Sequence, residues 1–239
     1  RFNLVVFAHH THPYAWSTEE LAFLRSFGDR IQAAIARVHA EAEQMVLQRE
    51  LGHRLKNTLA MVQAIASQTL RPVKERNHVD AFERRLHALS TAHEILLERN
   101  WSSAPVSNVV EKTLDRLSVR ERIDIVGDPI MLGPKGTLSL SLVLHELATN
   151  AIKYGSLSNT TGRVAINWHV EGEGDLSSFN FSWQESGGPQ VAEPQANGFG
   201  SKLIRMGLAG TGGVNVRYEP SGFVAQMHAS LPQLQQADI

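Results

Sequence analysis

Apolar residues recur at Leu21, Leu24, Phe27, Ile31, Ala34, Ile35 and Val38, a spacing of threes and fours that predicts a helix. Ser17, Thr18, Glu19 and Glu20 stand ahead of it in the order of a capping sequence. No Pro or Gly interrupts the pattern between Asp29 and Leu51, so the helix is expected to run on as a stalk. Upstream, Leu4, Val5, Val6, Phe7 and Ala8 read as a buried strand, and residues 9–16, with Pro13, as a loop. A second stretch pairs a helix over about residues 42–70 with another over about 79–99, joined by residues 71–77, which predicts an antiparallel helical hairpin. Counted from Leu51, the residues Leu47, Leu55, Val62, Ile65 and Ala66 lie within about 60° of one seam, while His53 lies near 200° and projects away from it. From about Pro105 the pattern changes. Short β-rich runs at residues 123–126, 164–168 and 179–183 alternate with helices, and a last pair, 214–218 and 223–230, flanks Glu219, Pro220, Ser221 and Gly222 as a hairpin. Helices mixed with mostly antiparallel strands predict an α+β sandwich, and no internal repeat is present.

Composition narrows the function. With 23 Lys and Arg against 24 Asp and Glu, the 239-residue chain has a net charge of −1, which gives no electrostatic reason to expect nucleic acid or an anionic membrane as its partner. It has no cysteine, which removes disulfides, thiolate metal sites and thiol catalysis together. No apolar run approaches the roughly 18 residues of a membrane span, and no signal peptide opens the chain, so a cytoplasmic location is the default expectation. A first residue of Arg1 rather than Met leads us to expect a piece of a longer protein.

The candidate chemistry concentrates in residues 145–155, which read His-Glu-Leu-Ala-Thr-Asn-Ala-Ile-Lys-Tyr-Gly. On a helix, Leu140, Val143, Leu144, Leu147 and Ala151 fill one arc, with Glu146, Asn150 and Lys153 along its flank. A carboxylate to orient a nucleophile, an amide oxygen for a hard cation such as Mg²⁺ and an ammonium for phosphate are the parts phosphoryl transfer uses. A solvated i, i+4, i+7 face reads the same way. His53 supplies a second element: an exposed imidazole is largely neutral at pH 7 and has a lone pair for attack on phosphorus, although most surface histidines do nothing. Glu185, at a strand end before Gly187 and Gly188, puts a carboxylate where an exocyclic amino group such as that of adenine can donate. Asn197, Gly198, Phe199, Gly200 and Ser201 then lead into a helix over residues 202–208, whose N-terminal amides favour phosphate. Each glycine-rich turn also reads as ordinary turn punctuation. His9, His10 and His12 lack an acidic or thiol partner and read as solvated loop residues rather than a metal cluster.

Taken in this order, residues 45–232 resemble the HWE group of sensor histidine kinases, whose catalytic domain is the GHKL (Bergerat-type) α/β ATP-binding sandwich shared with gyrase, Hsp90 and MutL. The resemblance rests on the box around His53, on His145 at the head of the run above, and on Trp183 two residues before Glu185. It implies a sensor histidine kinase in which His53 is phosphorylated from ATP; by helical spacing, Asn57 is a polar neighbour one turn from His53. It further implies that Asn150 ligates Mg²⁺, that Lys153 contacts phosphate, and that Glu146 polarises the reaction or orders the metal's water shell. Glu185 stands where the wider superfamily reads adenine, and Gly187, Gly198, Gly200 and Ser201 match its nucleotide-binding glycine segments. His145 and Trp183 enter only as marks of the group. The next step would pass the phosphoryl group to an aspartate on a response-regulator receiver domain, and the hairpin is a candidate homodimer surface.

The sequence departs from the broader histidine-kinase pattern at Arg54, which stands where an acidic residue commonly serves the phosphoacceptor as base. The short interval from Glu185 to Gly198 leaves little room for a long mobile lid, which points to modest nucleotide affinity. The first 40 or so residues resemble the C-terminal end of a GAF-type sensor domain. The expected domains are therefore residues 1–44, the sensor end and signalling helix; 45–103, the phosphoacceptor hairpin; and 104–235, the ATP-binding domain. Two alternatives stand beside this reading: an ATPase or serine kinase built on the same sandwich, with His53 idle, and a non-catalytic dimerising sensor scaffold.

Overall fold

Ser17 and Glu20 close a reciprocal cap: the Glu20 amide donates to Ser17 Oγ at 3.2 Å and the Ser17 amide to Glu20 Oε2 at 2.8 Å. From this cap a single helix, α1 (Thr18–Thr69), runs without a break in a computed structural model that describes residues 7–9, 11–74, 76–97, 103–115, 119–191, 199–210 and 213–236. The stalk and the first helix of the hairpin are thus one element, and the boundary expected at residue 44 falls inside it. The chain divides into two units, residues 1–51 and 52–239.

The first unit is mostly exposed helix. Leu21, Phe23, Phe27 and Val38 are all exposed, and the Phe23 and Phe27 rings stack at 6.4 Å. Of the strand expected over residues 4–8, Leu4, Val5 and Val6 lie outside the described residues, and Phe7 and Ala8 have no strand geometry, which corrects that expectation where it can be read. Among the described residues no strand pairs with Phe7 or Ala8 to take up their N–H and C=O groups. His9 and His12 are exposed, and His10 lies outside the described residues.

In the second unit, α2 (Arg76–Leu97) returns antiparallel to the end of α1. Ser67 Oγ donates to Glu83 Oε1 at 2.7 Å, Lys56 Nζ pairs with Glu94 Oε1 at 2.8 Å, and Leu97 packs where a Cβ on Gly52 would stand. The expected hairpin is present, but its seam is rotated. Gly52 and Leu59 are buried and Leu55, Gln63 and Ala66 half-buried, whereas Leu47, Leu51, Val62 and Ile65 remain exposed. The missing Cβ of Gly52 explains the rotation, because it lets α2 approach on that side of α1, roughly 80° from the apolar stripe.

The rest of the unit is a sheet backed by helices. β1 (Ala104–Pro105) pairs antiparallel with β3 (Met131–Leu132), and five longer strands run in the order β2 (Ile123–Gly127), β4 (Arg163–Glu171), β5 (Ser178–Ser186), β7 (Gly222–Ser230), β6 (Val214–Glu219). Only β2 and β4 are parallel, and β6 and β7 form the expected terminal hairpin. Helices α3 (Val106–Leu114) and α4 (Pro134–Lys153) complete the core, with α5 (Phe199–Met206) and α6 (Leu231–Gln235) around them. Along α4, Leu140, Val143, Leu144, Leu147 and Ala151 are at most 1% exposed, as the helical arc requires. Along β5 the two-residue period sends Phe179, Phe181 and Trp183 inward, and it carries Glu185 to the same face.

Candidate functional site

The polar stripe of α4 runs from the interior to the surface. Glu146 is buried, Asn150 half-buried and Lys153 exposed, so the three do not share the solvated flank that periodicity alone suggests. The cause is α2, which packs along α4 and covers it at Glu146. From α2, Arg85 Nε donates to Glu146 Oε1 at 2.6 Å and Nη2 to Oε2 at 3.2 Å. Arg85 is not among the residues that the sequence pattern singles out. Only contact across 61 residues reveals it.

His145 is half-buried beside this pair, and its Nε2 has no hydrogen-bond partner among the described residues. Burial pushes its imidazole below the usual value, while the Glu146 charge pulls the other way and Arg84, His87 and Arg85 reinforce the depression.

At the end of β5, Trp183 Nε1 donates to Glu185 Oε1 at 3.2 Å, and the Ser156 amide donates to Glu185 Oε2 at 2.6 Å. Trp183 and Glu185 therefore act on each other, two residues apart on one strand face. Burial raises the Glu185 carboxyl above its ordinary range, and the Ser156 amide and Trp183 indole oppose that rise by stabilising the anion. Close glycines make this possible. A Cβ on Gly155 would collide with Glu185 Oε2, and one on Gly188 would meet Ser156 N at 2.8 Å. Gly187 takes φ +67, and its carbonyl accepts from Asn159 Nδ2 at 2.9 Å.

Gly198 lies outside the described residues. Gly200 and Ser201 belong to α5, which begins three residues earlier than its sequence pattern suggests, so neither sits in a turn ahead of the helix. Gly200 packs against the Glu146 carboxylate where a side chain would not fit. On the hairpin, His53, Arg54 and Asn57 are all exposed, and the Arg54 carbonyl accepts from Thr58 Oγ1 at 2.9 Å.

An exposed histidine on a two-helix hairpin and an α/β sandwich with a buried strand end and a polar helix stripe lie in one unit. Residues 50–129 match the family model for HWE histidine kinase. Blue-light-activated histidine kinases of Brucella ovis and Brucella anthropi are each 39% identical to it, over 182 and 200 residues. These alignments cover 75% and 82% of this chain but 37% and 41% of the relatives, so the chain spans about two fifths of the length of the curated relatives it matches. A histidine kinase domain from a blue-light-activated histidine kinase of Erythrobacter litoralis shares the fold, with a TM-score of 0.52 at 18% identity over 82% of this chain and 96% of that one.

Proposed function

We propose that this chain is the kinase core of a sensor histidine kinase, in which His53 takes the γ-phosphoryl group of ATP and yields it to an aspartate on a response-regulator receiver domain. The observation that carries the reading is one unit holding both an exposed histidine, His53, and a stripe that brings an amide oxygen and an ammonium to the surface, Asn150 and Lys153. The donor set fits a magnesium nucleotide. Asn150 offers a hard oxygen ligand, Lys153 a mobile cation for phosphate, Glu185 an anchored acceptor for the base, and Gly187, Gly198, Gly200 and Ser201 backbone or hydroxyl donors. Bound Mg-ATP would supply the phosphoryl group and offset its charge. His53 would form the new bond to phosphorus through a ring-nitrogen lone pair as the bond to the ADP oxygen breaks. Asn57, one turn along α1, is the polar neighbour for the ring, and Glu146 is the carboxylate that would order the reacting groups once freed from Arg85.

The exposed Val62 and Ile65 of the hairpin support a second copy of the hairpin as partner, since exposed apolar side chains favour burial. No helix among the described residues is long and apolar enough to cross a membrane, and a cytoplasmic setting with access to ATP accords with the reaction. The test is incubation with labelled ATP and Mg²⁺. Label that is acid-labile, base-stable and absent from His53→Ala is the expected result, and label retained on that variant refutes the assignment.

A further inference from the structure

We propose that Arg85 is a positioning residue that clamps Glu146 in a silent state and holds the nucleotide domain at the wrong level of the hairpin, so that kinase activity requires this ion pair to open. The inference rests on the reading of the chain as a histidine kinase.

Three elements converge on one carboxylate. Arg85 of α2 meets both oxygens of Glu146 on α4, and Gly200 of α5 closes over the carboxylate, whose neighbour Arg85 Nη2 would stand 3.6 Å from a Cβ there. The Arg85 side chain is 24% exposed and that of Glu146 10%, so water screens the pair little. A carboxylate with both oxygens held by the fork of a guanidinium has few lone pairs left for a metal's water shell. In this state Glu146 is not available for the work proposed for it.

The clamp also fixes a distance. The contacts of Gly52 with Leu97, Lys56 with Glu94 and Ser67 with Glu83 set the register of the hairpin and put Arg85 level with about Ile65 of α1. At 1.5 Å per residue, that is roughly 18 Å along the helix from His53, several times the near-contact separation a phosphoryl transfer needs. While Arg85 holds α4 at its own level, the stripe that begins at Glu146 is kept from the phosphoacceptor. Opening the pair frees the carboxylate and releases the domain in one event, which couples hairpin geometry to catalysis.

The chain has no native cysteine, so spin labels on Phe82→Cys of α2 and Val126→Cys of β2, both exposed positions, report the docking distance in the full 239-residue protein. The expected result is one narrow distance in the parent that broadens on Arg85→Ala and on adding Mg²⁺ with a non-hydrolysable ATP analogue. In parallel, Arg85→Ala should raise the initial rate of acid-labile phosphorylation by at least about fivefold, with Arg85→Lys between it and the parent and the rise abolished when Glu146→Gln is added. Arg85→Lys keeps the charge and guards against loss of fold, which circular dichroism checks. A distance that stays narrow in Arg85→Ala, an unchanged rate, or a rate lowered to that of Glu146→Gln overturns the clamp. If no protein, the parent included, gives acid-labile phosphate, the kinase reading fails, and the distance measurement decides the clamp alone.

Discussion

Trp183 and Glu185 face the core from the same side of β5, and the indole N–H donates to the carboxylate at 3.2 Å. The pair is 0% and 3% exposed, and the second oxygen of the acid is taken by the Ser156 amide. A buried acid with both oxygens engaged is held in one rotamer, a rigid acceptor for the role proposed for it.

Removing either partner should therefore be felt as stability. Trp183→Phe takes away a donor and leaves a cavity the size of the lost ring, and Glu185→Gln turns one acceptor into a donor that faces another donor. Each should cost about 1–3 kcal/mol, the usual penalty for an unsatisfied buried polar group. Urea denaturation, with the midpoint shifted and the slope unchanged, is the measurement.

Gly188→Ala should be damaging for a different reason. Its new Cβ would meet the Ser156 backbone, and no side-chain rotation relieves a clash with main chain. Ser156 must move, and its amide carries the bond to Glu185. Overpacking of this kind costs about 1–3 kcal/mol. Thermal unfolding should register the loss, and binding of a fluorescent ATP analogue should weaken with it. A melt and an affinity both equal to those of the parent would break the link from glycine to acid.

Asn150→Ala should leave the fold intact and weaken binding of ATP with Mg²⁺ by about tenfold or more, equal to about 1.4 kcal/mol, because the side chain is half-buried and its proposed task is a metal contact. Calorimetric titration with and without Mg²⁺ separates the two contributions. An affinity that falls equally in both would argue against Asn150 as the cation's ligand.

Two groups give stability opposite dependences on pH. Burial lowers the folded value of His145, so an unfolded chain takes up this proton as pH falls through about 6.5 while the folded chain resists it. Its contribution is complete above that value and is lost toward lower pH. Glu185 has a raised folded value, again from burial, so its contribution is complete below the ordinary carboxyl value of 4.5 and is lost as pH rises through the folded one. Melting temperatures from pH 5 to 8 should fall less steeply toward acid in His145→Gln than in the parent. Identical slopes would show that the imidazole is not penalised by burial.

Much of this was written into the order of residues. The cap at Ser17, the helical hairpin, the inward arc of α4 and the terminal β-hairpin all follow from local periodicity and turn chemistry, which act over a few residues and need no partner. His53 was read as exposed from its angle on the helix, and it is. What tertiary structure alone decided is which polar groups meet. The sequence put Glu146, Asn150 and Lys153 on one flank, but packing of α2 against α4 buried the first, left the second half-covered and the third in water. It likewise turned the hairpin seam away from Leu51, Val62 and Ile65, because the bare backbone at Gly52 admits Leu97. Arg85 drew no notice among charged neighbours. Its importance comes from a contact across 61 residues, and periodicity, which reports the face a side chain occupies, carries no information about what lies opposite that face.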